Sequence, residues 1–288
     1  MGKEILAIDG TTCLVDRPVF ESRCLKSGTH RGNNMPQSAA AAVVGHSADA
    51  AEKLIVALDV GSVTEAREIV DQLEGTVSFF KIGIALQWEE GLRRFIDELL
   101  NGRGCLVFLD YKYGDIGSTL RRGIAGVANL GVNFLTIQGA GDVGEKDLRL
   151  AITARDKGER LKIFLVTVLT SLDQHDLDEI GVHETLLDRV VRRAKIAHRA
   201  GLDGVIASGQ EAAEIHAATD SSFLIITPGI RPLGTSHDDH KRVVTPYQAI
   251  KNGADYLVVG RPIIENASRQ EAAKAIISEM QEAFDSLH

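Results

Sequence analysis

The sequence predicts an α/β chain whose main body is a closed (β/α)8 barrel. Three observations predict it. Eight short aliphatic or β-branched runs recur between residues 54 and 259, each the length of a strand buried on both faces. Longer stretches with apolar residues at helical spacing separate the runs and close the chain, the rhythm of parallel strands joined by crossover helices. The repeat fills roughly 235 residues, the size of one eight-fold barrel. A doubly wound open sheet is the alternative. No GxGxxG follows the first run, where that fold usually holds a dinucleotide, so the barrel is favoured.

The strand runs are 54–58, 77–82, 105–109, 133–137, 163–168, 204–207, 223–226 and 256–259. Helical spacing marks 64–73, 89–100, 116–130, 145–157, 185–200, 210–219 and 246–252, with 271–287 at the end. Residues 1–50 stand apart, with a polar stretch followed by an Ala-rich run, and are expected to form a poorly ordered or loosely docked extension. The apolar run 5–8 and the segment 13–20 leave room for a strand or hairpin there. The barrel domain is expected over 51–288.

Composition narrows the function. With 288 residues, of which 44% are hydrophobic and 25% charged, the chain can bury a large core. A net charge of -8 argues against a general nucleic-acid or anionic-membrane partner and leaves room for a local basic pocket that takes a small anion. No run of about 18 apolar residues and no basic, then apolar, N-terminal signal is present, so a cytoplasmic location is expected. The three cysteines, Cys13, Cys24 and Cys105, form no CxxC, in keeping with a reducing compartment.

A barrel carries its active site at the C-terminal ends of its strands. Polar residues stand there in every run: Asp59, Lys81, Asp110 with Lys112, Gln138, Thr167 with Thr170, Ser208, Thr227, and Gly260 with Arg261. The stretch 108–119 is the most charged of these ends. Strand alternation places Asp110 and Lys112 on one side, with Asp115 just beyond. At about 4 Å and an effective dielectric near 20, each acid–lysine attraction is of order 4 kcal/mol, so Lys112 stays protonated and is a candidate proton donor. A surface salt bridge is the plainer alternative.

Gly260 and Arg261 offer an unobstructed backbone amide and a guanidinium fork, a pairing suited to phosphate after the last strand of a barrel. The segment Thr227-Pro228-Gly229-Ile230-Arg231-Pro232 adds a second arginine. The polar residues 234–242 that follow are expected to act as a lid.

Together these residues make the chain resemble the orotidine 5'-monophosphate decarboxylase family over about residues 53–285. The resemblance rests on LIVALD at 54–59, FKIG at 80–83, Asp110-x-Lys112-x-x-Asp115-Ile116, VTVLTS at 166–171, TPGIRP at 227–232 and VGRP at 259–262. It implies a (β/α)8, or TIM, barrel, a homodimer with shared active sites, orotidine 5'-monophosphate (OMP) as substrate, and no metal or organic cofactor. It further implies that Asp59 and Lys81 hold the ribose, that Asp110, Lys112 and Asp115 form the catalytic array with Lys81, and that Asp115, Ile116 and Thr119 reach the neighbouring subunit's site. Thr170 would touch the pyrimidine, and Pro228, Arg231, Gly260 and Arg261 would belong to the phosphate end. Lys112 would stabilise the carbanion left at C6 and protonate it.

Three departures from the family pattern stand out. Gly114 and Gly117 replace the usual His and Pro around the Asp-Ile pair, which is expected to loosen the backbone carrying Asp115. The fourth run ends in Ile137-Gln138-Gly139 instead of Val-His-Ala. The family's lid glutamine falls at His240, which lacks the amide's combined donor and acceptor. Two other functions compete: a metal-dependent sugar-phosphate decarboxylase or aldolase with the same Asp-x-Lys-x-x-Asp motif, and a non-catalytic nucleotide-binding paralogue. Lys81 opposes the first, because a lysine where a metal ligand belongs repels Mg2+.

Overall fold

Alternation along eight short strands sorts the apolar residues into two sets, and this sorting aims the polar ones. The computed structural model of the chain describes residues 4–8, 11–15, 49–138, 143–155, 160–233 and 242–287. The chain divides into two compact units, 1–45 and 46–288. In the first, strands β1 (Glu4–Ile8) and β2 (Thr11–Val15) pair antiparallel, with Leu6 opposite Cys13.

In the second unit, β3 (Leu54–Ala57), β4 (Phe79–Gly83), β5 (Leu106–Tyr113), β6 (Phe134–Gln138), β7 (Lys162–Val166), β8 (Gly204–Ile206), β9 (Leu224–Thr227) and β10 (Tyr256–Val259) form a closed barrel in sequence order, β10 pairing with β3. All neighbours are parallel. Ile55, Ala57, Phe79, Phe108, Phe134, Phe164, Ile226 and Val258 form one buried cluster inside the barrel. Leu54, Val56, Phe80, Ile82, Val107, Leu109, Leu135 and Ile137 belong to the other, between strands and helices. Because side chains alternate, the inward row that holds Phe79, Phe108 and Phe134 continues to Lys81, Asp110 and Thr136. Four of the nine phenylalanines fill the barrel beneath these polar groups. The Phe134 ring lies 4.8 Å from that of Phe79 and 4.7 Å from that of Phe164.

The helices are α1 (Ala50–Lys53), α2 (Val63–Leu73), α3 (Leu92–Asp97), α4 (Gly117–Ala128), α5 (Glu145–Ile152), α6 (Gln174–Glu179), α7 (Leu186–Ala200), α8 (Ala212–Ala218), α9 (Pro246–Lys251), α10 (Arg261–Ile264) and α11 (Arg269–Asp285). Side-chain caps start several: Ser62 accepts from the amide of Glu65, Thr185 from Asp188, and Thr245 from Gln248 ahead of Pro246. Among the described residues no helix is long and apolar enough to cross a membrane.

Besides the short helices α1 and α10, two elements differ from the pattern in the sequence. The third strand runs on to Tyr113, through the charges, because β5 pairs again with β6 at Tyr113 and Ile137 after an irregularity. Helix α6 carries no periodic apolar face; Leu177 alone is buried, and a reciprocal capping box between Asp173 and Asp176 nucleates the turn instead.

Candidate active site

The ends of the strands open into a cavity of about 580 Å3. Asp59, Lys81, Asp110, Lys112, Thr170, Pro228, Arg231, Gly260 and Arg261 all line it, so most of the residues singled out from the sequence meet at one mouth. Four cations and three carboxylates, the third being Glu265, face this space on a chain whose net charge is -8.

Charges alternate across three adjacent strand ends. Lys81 Nζ donates to Asp59 Oδ1 at 2.8 Å and lies 3.4 Å from Asp110 Oδ2, while Lys112 Nζ donates to the same Asp110 oxygen at 3.0 Å. Lys81 is only 6% exposed. Burial works against its charge more strongly than any other single influence, yet Asp110 and Asp59 together hold its pKa above the ordinary lysine value. Burial likewise pushes Asp110 up, and the opposing pull of Lys81, Lys112 and Thr136 keeps its carboxyl below the usual range. Lys81 and Asp110 therefore both stay ionised at neutral pH.

Gly83 makes room for it. A methyl group at this position would stand 2.7 Å from Asp59 Oδ1 and 3.3 Å from Lys81 Nζ, so any side chain would drive Asp59 from its partner. Thr136 is a contributor that the sequence did not single out. Fully buried on the inward face of β6, it donates to Asp110 Oδ1 at 2.9 Å.

Other polar strand ends serve the fold. Thr167 donates to the Ile206 carbonyl at 2.9 Å, Ser208 to that of Arg242 at 3.4 Å, and Thr227 Oγ1 is buried with no hydrogen-bond partner among the described residues. None of the three, nor Gln138, lines the cavity. The lid expected over 234–242 is corrected at its last residue. Arg242 is buried, donating to Glu211 Oε1 at 2.6 Å and to the carbonyls of Leu172, Val168 and Leu169. It anchors the loop that carries Thr170. Residues 234–241, His240 included, lie outside the described residues, as does Gly139.

A family model described as "Orotidine 5'-phosphate decarboxylase / HUMPS family" matches residues 52–276. The chain belongs to this family. It is 45% identical over 240 residues to an orotidine 5'-phosphate decarboxylase of Nitrobacter winogradskyi, covering 83% of this chain and 97% of that one. It is 43% identical over 235 residues to another from Carboxydothermus hydrogenoformans, covering 80% and 96%. The crystal structure of orotidine 5'-phosphate decarboxylase from Lactobacillus acidophilus superposes with a TM-score of 0.68 at 32% identity, covering 80% of this chain and 99% of that one.

Against the family pattern, Gly117 proves to be a packing residue. It is buried at the start of α4, its amide donates to Asp147 Oδ1 at 3.2 Å, and an added Cβ would meet that oxygen at 2.6 Å. A proline there would lose the bond and clash, so the glycine pins the segment where loosening was expected. Asp115, Ile116 and Thr119 are exposed and do not line the cavity of their own chain. The Asp115 carboxylate accepts from the Ile116 amide at 2.7 Å.

Proposed function

We propose that the chain converts OMP to UMP and CO2 in pyrimidine biosynthesis, with its own side chains as the whole catalytic apparatus. The observation that carries this reading is the contact chain Asp59–Lys81–Asp110–Lys112, buried at its Lys81 and Asp110 centre and facing the same cavity as Arg231 and Arg261. Breaking the bond from C6 to its carboxylate releases CO2 and leaves an electron pair at C6 that the ring delocalises poorly. Lys112 places a positive charge beside that pair and then gives it a proton, forming the C6–H of UMP; solvent reprotonates the amine. Asp110 aims Lys112 and, as a fixed anion, disfavours a second carboxylate nearby more than it disfavours neutral CO2.

Lys81 and Asp59 serve the ribose, Thr170 the pyrimidine, and Pro228, Arg231, Gly260 and Arg261 the phosphate, whose binding energy supports the chemical step. The ammonium of Lys81 already occupies the space between the two carboxylates that a divalent cation would need, which disfavours the metal-dependent alternative. Purified protein should therefore deplete the absorbance of OMP equally with and without EDTA. Absence of turnover would overturn the decarboxylase reading, and loss of activity on chelation would move the chain to the metal-dependent branch.

The ribose role of Asp59 has its own test. Gly83→Ala should raise KM for OMP about tenfold, since displacing Asp59 from Lys81 removes one charge-assisted contact to substrate. An unchanged KM in steady-state kinetics would remove Asp59 from that role.

The working unit in this reading is a cytoplasmic homodimer. Asp115 is exposed and does not line the cavity of its own chain, and large apolar side chains near the strand ends stand in water, with Trp88 89% and Ile116 70% exposed. A second copy of the chain would cover them and receive Asp115, Ile116 and Thr119 at its own site.

A further inference from the structure

The two lysines of the cluster approach one oxygen of Asp110, Oδ2, at 3.4 and 3.0 Å. The other oxygen is held by Thr136 Oγ1 at 2.9 Å. That hydroxyl also lies 3.0 Å from the backbone nitrogen of Lys112. A backbone amide can only donate, so Oγ1 accepts from Lys112 and its single proton goes to Asp110. The chemistry thus fixes the direction of both bonds.

The shape of β5 explains why such a group is needed. Strand β5 pairs with β6 at Leu109 and Leu135, then again at Tyr113 and Ile137, so four steps on one strand face two on the other. Within this bulge Lys112 adopts φ 50°, the one positive value among the described non-glycine residues. L-residues adopt that region at a cost, and it persists only where surrounding contacts hold it. In a regular ladder the Lys112 amide would meet a strand carbonyl; here it meets the hydroxyl of the fully buried Thr136.

We infer that Thr136 is a positioning residue: its one hydroxyl sets both the rotation of the Asp110 carboxylate and the left-handed backbone of Lys112, and so the direction in which the Lys112 ammonium meets the substrate. The inference rests on the roles proposed above for Asp110 and Lys112. Thr136 touches no reacting atom itself. Its effect should therefore fall on the chemical step and spare the binding of the ribose and phosphate, which depend on other strands.

Thr136→Val keeps the side-chain shape and removes the hydroxyl. Relative to wild type, kcat should fall about 30-fold, while KM for OMP and Kd for UMP stay within about twofold. Thr136→Ser and Thr136→Ala, which differ from each other by the hydroxyl alone, give a second comparison should the valine variant fail to fold. Serine should keep kcat within about threefold of wild type and alanine should lose about as much as valine. A valine or alanine variant with wild-type kcat would overturn the inference, as would equal losses in serine and alanine, which indicate packing, or a KM that rises in step with the loss of kcat. Wild-type turnover is measured first. Its absence would overturn the decarboxylase reading and this inference with it, whereas an active wild type with an indifferent Thr136 overturns this inference alone.

Discussion

Lys112→Ala should bind UMP with nearly wild-type affinity and turn over OMP at least about 10,000-fold more slowly than the parent. In the proposed mechanism this one side chain supplies both the proton and the charge opposite C6, and positioned acids and preorganised electrostatic groups are each worth orders of magnitude. The fold should survive the change. Asp110 keeps Lys81 at 3.4 Å and the Thr136 bond at 2.9 Å, so its charge is not stranded. Binding should survive because Asp59, Arg231 and Arg261 stand on other strands and loops. Since Lys112 has φ 50°, Lys112→Gly removes the same ammonium without forcing alanine into a left-handed conformation, and should be equally inactive. Single-turnover kinetics on OMP beside a UMP titration reads both halves of the expectation. Retained turnover in either variant would remove Lys112 as the proton donor.

The second large effect is a recovery. Asp110→Ala and Asp115→Ala should each be inactive alone, and mixing them under conditions of subunit exchange should restore about one quarter of the wild-type activity. Random reassortment makes half of the dimers mixed, and each mixed dimer holds one site with both aspartates intact. The exposed position of Asp115, outside its own cavity and close to the exposed Ile116, motivates the experiment. Labelled subunits would document exchange. Proven exchange without recovery would show that Asp115 does not act across an interface.

The barrel was legible because its strands are buried on both faces and its helices on one, so aliphatic runs and helical spacing alternate without interruption from 54 onward. Asp59, Lys81, Asp110 and Lys112 were legible for a related reason, as each continues or ends a strand at the face where a barrel places its chemistry. What escaped notice depends on contacts between segments far apart in the sequence. Thr136 looks like any strand threonine until β5 bulges against it. Gly117 resembles a flexible turn until Asp147 closes on it, and Arg242 resembles a polar loop residue until Glu211 and three carbonyls enclose it. The signal for Thr136 was present in one form: it lies two residues beyond Phe134, on the same inward row as the aromatic floor.

That floor has a consequence for traffic through the enzyme. Phe79, Phe108, Phe134 and Phe164 seal the barrel beneath the charged cluster with rings in mutual contact, each at most 5% exposed. With the barrel closed below by these rings, the CO2 released and, in the proposed mechanism, the proton that restores Lys112 use the same opening that admits the substrate, so departure of one cargo and delivery of the next are events at a single door.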